Sequence, residues 1–133
     1  PGHSITVEDC LLAPHTNYSS LITRINDAGI NIKGVSHITG GGLIDNVPRA
    51  IPGDFSLEID TTSWNKIPIF EFLQNNLDID TKDLYQTFNM GIGLVLIVDE
   101  SEKEGLISFI GRESCNKIGV VVDDKDNVVH FYG

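Results

Sequence analysis

The residues with the most chemical content lie in one run, His37-Ile38-Thr39-Gly40-Gly41-Gly42-Leu43, closely followed by Asn46, Pro48 and Arg49. Glycine loses more conformational freedom on folding than any other residue, so three in a row imply a backbone that has to stay bare. A strand ahead of the run and a short helix behind it would aim N–H groups at an anion lying over the turn. Thr39 adds a hydroxyl donor, and a helix starting after Gly42 adds the positive end of a dipole. His37, where the strand's end meets the loop, is a candidate catalyst, and Arg49 can grip a phosphate through two parallel hydrogen bonds.

Each of these readings has a plainer rival. A tight turn alone explains a glycine triplet about as well, and a single histidine is more often structural than catalytic. Arg49 can equally pair with Asp45 or Asp54. The run has neither the Lys-Ser/Thr of a P-loop nor the G-x-G-x-x-G spacing. A second candidate, Asn89-Met90-Gly91-Ile92-Gly93, leads into an apolar segment, and its glycines permit close approach to a ligand or to a neighbouring element. Trp64, Pro68 and Phe70 suit a packing cluster. No H-E-x-x-H or G-x-S-x-G motif is present. Asp123-Asp124-Lys125-Asp126 lacks the twelve-residue calcium loop, and no metal site is expected.

The elements that must position these groups can be read from periodicity. Residues 5–12 alternate Ile5 and Val7 with polar neighbours, predicting a strand or extended entry ended by Pro14. Asn17 can cap a helix whose Tyr18, Leu21, Ile22, Ile25 and Ala28 share a face, with Gly29 at its left-handed end. Residues 32–38 predict a strand carrying Val35 and Ile38 into the glycines. Leu43 to Val47 suit a brief helix stopped by Pro48. Residues 55–60 alternate Phe55, Leu57 and Ile59 against Ser56, Glu58 and Asp60, predicting a half-buried strand. Pro68 fits the first turn of a helix with Ile69, Phe72 and Leu73 inward. Asp80 or Thr81 caps the next helix, with Leu84, Tyr85 and Phe88 on one side.

The nearly unbroken apolar run 92–98 predicts a central strand covered on both faces. Ser101 and Glu104 have capping-box spacing, ahead of a helix with Leu106, Ile107 and Ile110 inward. Residues 118–122 and 128–132 predict two strands joined by a polar turn. The outcome is an α/β (α+β) fold, one domain over residues 1–133 with a mixed β-sheet covered by helices.

Composition narrows the function classes. A chain of 133 residues with 41% hydrophobic and 21% charged residues suits one folded core. Its net charge of −10 argues against nucleic-acid binding and makes any capture of a phosphorylated ligand a local matter of backbone or single cations. No segment approaches the ~20 apolar residues of a membrane span, and no signal peptide is evident. Cys10 and Cys115 are expected to be free thiols of a reducing cytoplasm.

Several segments, in order, carry a family resemblance: Leu11-Leu12-Ala13-Pro14, His37-Ile38-Thr39-Gly40-Gly41-Gly42-Leu43, Asn46-Val47-Pro48-Arg49, Trp64 with Pro68-Ile69-Phe70 and Leu73-Gln74, and Tyr85-Gln86-Thr87-Phe88-Asn89-Met90-Gly91-Ile92-Gly93. Together they resemble the C-terminal domain of aminoimidazole ribonucleotide (AIR) synthetase, also called phosphoribosylformylglycinamidine cyclo-ligase, over about residues 8 to 122. Selenophosphate synthetase and thiamine-monophosphate kinase share the architecture, but the full motif set favours the cyclo-ligase. The resemblance implies a cytoplasmic ligase of purine biosynthesis. ATP, assisted by Mg2+, activates the formyl oxygen of formylglycinamidine ribonucleotide, and an amidine nitrogen then closes the imidazole ring.

It also implies that the N-terminal half, absent from this chain, carries most of the ATP site and the dimer contact. This domain would then be one wall of the cleft, inactive alone, in a homodimeric parent. Carried over by residue, Thr39, Gly40, Gly41 and Gly42 lie beside the phosphorylated ribonucleotide substrate, with His37, Asn46 and Arg49 as neighbours and Asn89 facing the same cleft. Many members of the family read Pro-Thr-Arg-Ile-Tyr where this chain has Pro14-His15-Thr16-Asn17-Tyr18, so no contact of that arginine carries over, while Tyr18 is retained. The alternatives are a non-catalytic binding domain of the same fold and a sibling ATP-dependent small-molecule kinase.

Overall fold

The computed structural model describes residues 6–133; the start Pro1–Ser4 and Ile5 of the expected first strand lie outside the described residues. The first described element is not a strand but a one-turn helix, α1 (Val7–Leu11). The reason is local. Thr6 Oγ1 accepts the Asp9 N–H at 3.1 Å while the Asp9 carboxylate accepts the Thr6 N–H at 2.9 Å, a reciprocal capping box that overrides the two-residue alternation. Helix α2 (Ser19–Asp27) follows, its first turn steadied by Asn17 Oδ1, which accepts the Ser19 N–H at 2.9 Å. Ile25 is its buried residue and Gly29 closes it at φ 73°.

Strand β1 (Ile32–His37) leads to α3 (Gly42–Asn46) and a 3-10 turn (Val47–Ala50). The α-helix ends just ahead of Pro48, as expected, but the chain runs on into the 3-10 turn. Pro48 takes the first turn of the 3-10 segment, where its missing N–H is not needed. Then come β2 (Phe55–Asp60), α4 (Pro68–Asn76), α5 (Thr81–Thr87), β3 (Leu94–Val98), α6 (Lys103–Ile110), β4 (Gly119–Asp123) and β5 (Val129–Tyr132). Asp80 caps α5, its carboxylate accepting the Asp83 N–H at 2.8 Å. The box expected at Ser101 does not form. Asp99 precedes a 3-10 turn there, and Lys103 pairs with Glu100 instead.

The fold is mixed α/β, but the expected single sheet is two. β1 and β3 make an antiparallel pair with His37 opposite Leu94. β2 is the middle of a three-stranded sheet, antiparallel to β4 and parallel to β5. β4 and β5 are consecutive yet never pair, because β2 lies between them. β3 is therefore not a central strand: it pairs with β1 alone and only Val95 is buried. Its apolar residues instead help line a cleft of about 1310 Å3, shared with Leu57 and Ile59 of β2, Leu106 of α6 and Val120 of β4.

The core runs through Ile38, Leu43, Val47, Leu57, Ile59, Trp64, Ile69, Phe70, Leu84, Tyr85, Met90 and Val95. Three inward assignments change. On β1, Ser36 is buried and Val35 exposed. On α4 the inward stripe is Ile69, Phe70 and Leu73, with Phe72 outside, because Phe70 packs on the Phe88 ring at 5.9 Å. On β2, Ser56 is fully buried. Its Oγ accepts the Val128 N–H at 3.0 Å and donates to the Asp124 carbonyl at 3.4 Å, tying the strand to the β4–β5 turn. Among the described residues no helix is long and apolar enough to cross a membrane, and Cys10 and Cys115 are free, with burial pushing the Cys115 thiol up.

Candidate functional site

The site is built where β1 ends. Ile38 N–H donates to the Gly93 carbonyl at 3.0 Å, and Gly42 N–H folds back onto the Thr39 carbonyl at 3.0 Å. The segment Thr39-Gly40-Gly41 is thereby held as a tight loop between the strand and α3.

The three glycines have three different reasons to be there. A Cβ on Gly42, at φ 57°, would lie 2.0 Å from the Tyr85 carbonyl oxygen and 2.7 Å from that of Phe88, so this glycine lets α3 press against α5. A Cβ on Gly41, at φ 100°, would lie 2.8 Å from Asp45 Cβ, and the backbone there is left-handed in any case. Gly40 has neither constraint: its φ is not positive and, among the described residues, nothing lies within 4 Å of its missing Cβ. Its bare face is open, and no packing among the described residues accounts for it.

The N–H groups of Thr39, Gly40 and Gly41 find no acceptor among the described residues. Thr39 and Gly40 are exposed and Gly41 is half-buried. Three successive free donors on a tight turn form the kind of concavity that accepts an anion. Asn46 ties the carbonyls of the same loop. Its Nδ2 donates inward to the carbonyls of Gly42 at 2.8 Å and Gly40 at 3.2 Å, with Thr39 at 3.5 Å. Those carbonyls are drawn to the protein side, and Asn46 itself is only 9% exposed. The structure thus places Asn46 beneath the loop as its brace, with its donors turned away from solvent.

Asn89 and Thr39 meet in a pocket of about 320 Å3, whose wall also includes Cys10, His15, Phe70 and Thr87. Asn89 Oδ1 accepts the Gly91 N–H at 2.9 Å, which leaves its amide nitrogen for the pocket. The next residue, Met90, is buried in the left-handed region at φ 52° and is held by Trp64, whose Nε1 donates to the Met90 carbonyl at 3.0 Å. Trp64 is a packing residue, as expected, and its hydrogen bond also fixes the corner that presents Asn89.

His37 is exposed at the end of β1, beside His15 rather than alone. The two rings meet edge to face with centroids 4.5 Å apart, and Tyr18 closes the cluster at 5.9 Å from His15 and 6.1 Å from His37. His15 Nε2 lies 3.1 Å from the Ile38 carbonyl oxygen. Sequence reasoning missed His15 because its partner is 22 residues away and no spacing rule joins them. The one available signal was a ring-bearing polar residue between Pro14 and Tyr18.

Arg49 is not brought into this group. It is exposed on the 3-10 turn, lines neither cleft, and has no carboxylate within ion-pair distance among the described residues, Asp45 and Asp54 included. The described residues also contain no cluster of three or more His, Cys, Asp or Glu arranged to hold a metal ion.

A family model described as AIR synthase related protein, C-terminal domain, matches residues 3–131. The chain belongs to that family. Among curated relatives, the phosphoribosylformylglycinamidine cyclo-ligase of Oceanobacillus iheyensis is 37% identical over 133 residues, covering 98% of this chain and 38% of that protein. The protein of the same name from Bifidobacterium longum (strain DJO10A) is 42% identical over 118 residues, covering 87% of this chain and 34% of its own length. That of Caldicellulosiruptor saccharolyticus is 36% identical over 128 residues, covering 95% and 37%. The chain therefore spans little more than a third of the relatives it matches. The loop at Thr39–Gly42 and the Asn89 corner both fall within the matched AIR synthase C-terminal region.

Proposed function

We propose that this chain is the C-terminal domain of a phosphoribosylformylglycinamidine cyclo-ligase and forms one wall of the cleft in which formylglycinamidine ribonucleotide is closed to aminoimidazole ribonucleotide. Membership of the AIR synthase C-terminal family and the names of the relatives support the reaction class. The single observation that carries the local reading is the row of free N–H groups at Thr39, Gly40 and Gly41 beside the open face of Gly40.

In this reading the loop takes the 5′-phosphate of the ribonucleotide, with the Thr39 hydroxyl as a further donor. Backbone capture suits a chain of net charge −10, because it is short-ranged and needs no cation. Asn46 and Gly42 hold the loop in shape, Asn89 lends its amide to the pocket, and Arg49, exposed on the 3-10 turn, stays outside the loop. His37 serves as the nearby proton-transfer group. Pre-set donors of this sort contribute through position and charge, the main resources of a phosphoryl-activated ring closure.

ATP and Mg2+ belong mainly to the part of the relatives' length that this chain does not span, and the partner of this domain is that N-terminal part in a homodimeric, cytoplasmic enzyme. Ring closure then requires both parts. ATP turnover that depends on formylglycinamidine ribonucleotide is expected from the full-length polypeptide and none from this chain alone. Turnover by the chain alone, or a full-length polypeptide that turns over ATP with a different small molecule, would contradict the proposal.

A further inference from the structure

We infer that His15 is a positioning residue for His37: it fixes which ring nitrogen of His37 carries the proton, leaving Nδ1 as the basic atom. The inference deepens the proposed function and rests on it only for the use to which His37 is put.

Ile38 is completely buried, and among the described residues its carbonyl oxygen has one donor within reach, His15 Nε2 at 3.1 Å. An unmet buried carbonyl is costly, whereas the competing carbonyl of Thr16, 3.2 Å from His15 Nδ1, belongs to an exposed residue that water can serve. The proton of neutral His15 therefore sits on Nε2, and Nδ1 presents a lone pair. A neutral imidazole has one donor and one acceptor nitrogen, and the bond made at one fixes the role of the other. His37 Nε2 lies 3.5 Å from that lone pair, at the long end of hydrogen-bond range, so His37 holds its own proton on Nε2. Its Nδ1 is left free.

The edge-to-face contact at 4.5 Å and the Tyr18 ring keep the pair in register. Gly93 keeps Tyr18 close, since a Cβ there would lie 2.1 Å from the Tyr18 hydroxyl and 3.0 Å from His15 Cε1. The titratable groups facing the pair are Tyr18 from the start of α2 and Cys10 from α1, across the pocket. No carboxylate lies within ion-pair distance of either ring among the described residues. Ile38 is thus linked to His37 through His15, and it leads directly into the anion-binding loop.

The test is two-bond 15N–1H imidazole spectroscopy on this chain at about pH 9, above the ordinary imidazole range. His37 is expected as a single tautomer protonated at Nε2. His15→Phe, which keeps an edge-to-face ring but cannot bond, should turn that signature into a tautomer mixture. His15→Gln, whose amide can donate to Ile38 and accept from His37, should restore it. A His37 protonated at Nδ1 in the unaltered chain would overturn the inference without any variant, and so would an unchanged His37 signature in a folded His15→Phe chain. Failure of the catalytic reading is separate: full ring-closing activity of His37→Ala in the full-length polypeptide would remove His37 from the chemistry and leave the tautomer result standing.

Discussion

The Tyr18 hydroxyl occupies the space that a side chain on Gly93 would need: the missing Cβ would lie only 2.1 Å from it. This one contact joins the start of α2 to the segment leading into β3, next to the Ile38–Gly93 hydrogen bond that ends β1. The Asn89–Gly93 motif thus supports the site from behind, and its second glycine exists for packing.

Gly93→Ala should therefore destabilise the chain by about 1–3 kcal/mol, the usual range for overpacking a fitted site. Combining it with Tyr18→Phe should recover part of the loss, since the two changes share one space. Thermal unfolding of the two single variants and the double variant checks this; strict additivity would show that the two residues do not compete.

The three loop glycines should separate cleanly. Gly42→Ala meets two backbone carbonyls and should severely impair folding, and Gly41→Ala should cost about 1–3 kcal/mol for its left-handed backbone. Gly40→Ala should leave the melting temperature nearly unchanged while weakening phosphate capture at least tenfold. Melting curves paired with ligand titrations give the comparison. A Gly40→Ala chain that binds like the parent would detach the open face from ligand binding.

Asn46→Ala removes the brace of three carbonyls and should cost about 1–3 kcal/mol. Asn46→Asp should not rescue it, because a carboxylate cannot donate. Hydrogen exchange should show faster exchange at Leu43 to Val47 in both variants; unchanged protection there would assign the loop's shape to something other than Asn46.

Acid should weaken the fold through a specific set of carboxylates. Asp9 is held below the usual range by the Thr6 N–H, Asp60 by the Thr62 hydroxyl, Asp124 by His130 and Glu100 by the Lys103 ammonium. A lowered folded pKa gives stability that is present above the unfolded value and lost as pH falls through the folded one. With unfolded values near 3.8 for Asp and 4.5 for Glu, the loss should set in below about pH 4.5. Asp9→Asn should be less stable than the parent at pH 7, with the gap narrowing as pH drops below about 4. Urea midpoints across pH report this, and a gap independent of pH would mean that the α1 capping box does not act through its charge.

Much of the scaffold is legible in the sequence because it depends on short-range signals. Asp80 capping α5, Pro68 opening α4, Gly29 ending α2 and the two-residue alternation of Leu57 and Ile59 are each set within a few residues. The departures have long-range or competing local causes. Helix α1 forms because the Thr6–Asp9 box is a stronger local signal than two alternating apolar residues. Ser56 is buried because the β4–β5 turn, some seventy residues away, supplies its partners. The apolar run of β3 resembles a central strand, yet its residues look onto a cleft.

At the candidate site, the sequence marks the glycine run and Asn89, but not the division of labour among the glycines, which only the positions of Tyr85, Phe88 and Asp45 reveal. Asn46 stands out by proximity alone; its inward role depends on where its amide points. Arg49 stands out for the same reason and lies apart.

The most direct measurement is a backbone-amide NMR titration of this chain with a ribonucleotide 5′-phosphate. The account predicts saturable shifts centred on the N–H groups of Thr39, Gly40 and Gly41, carried over to Asn89, and lost in Gly40→Ala while the rest of the spectrum is preserved. A flat response at those three amides, or shifts gathered around Arg49 and the large cleft instead, would contradict it.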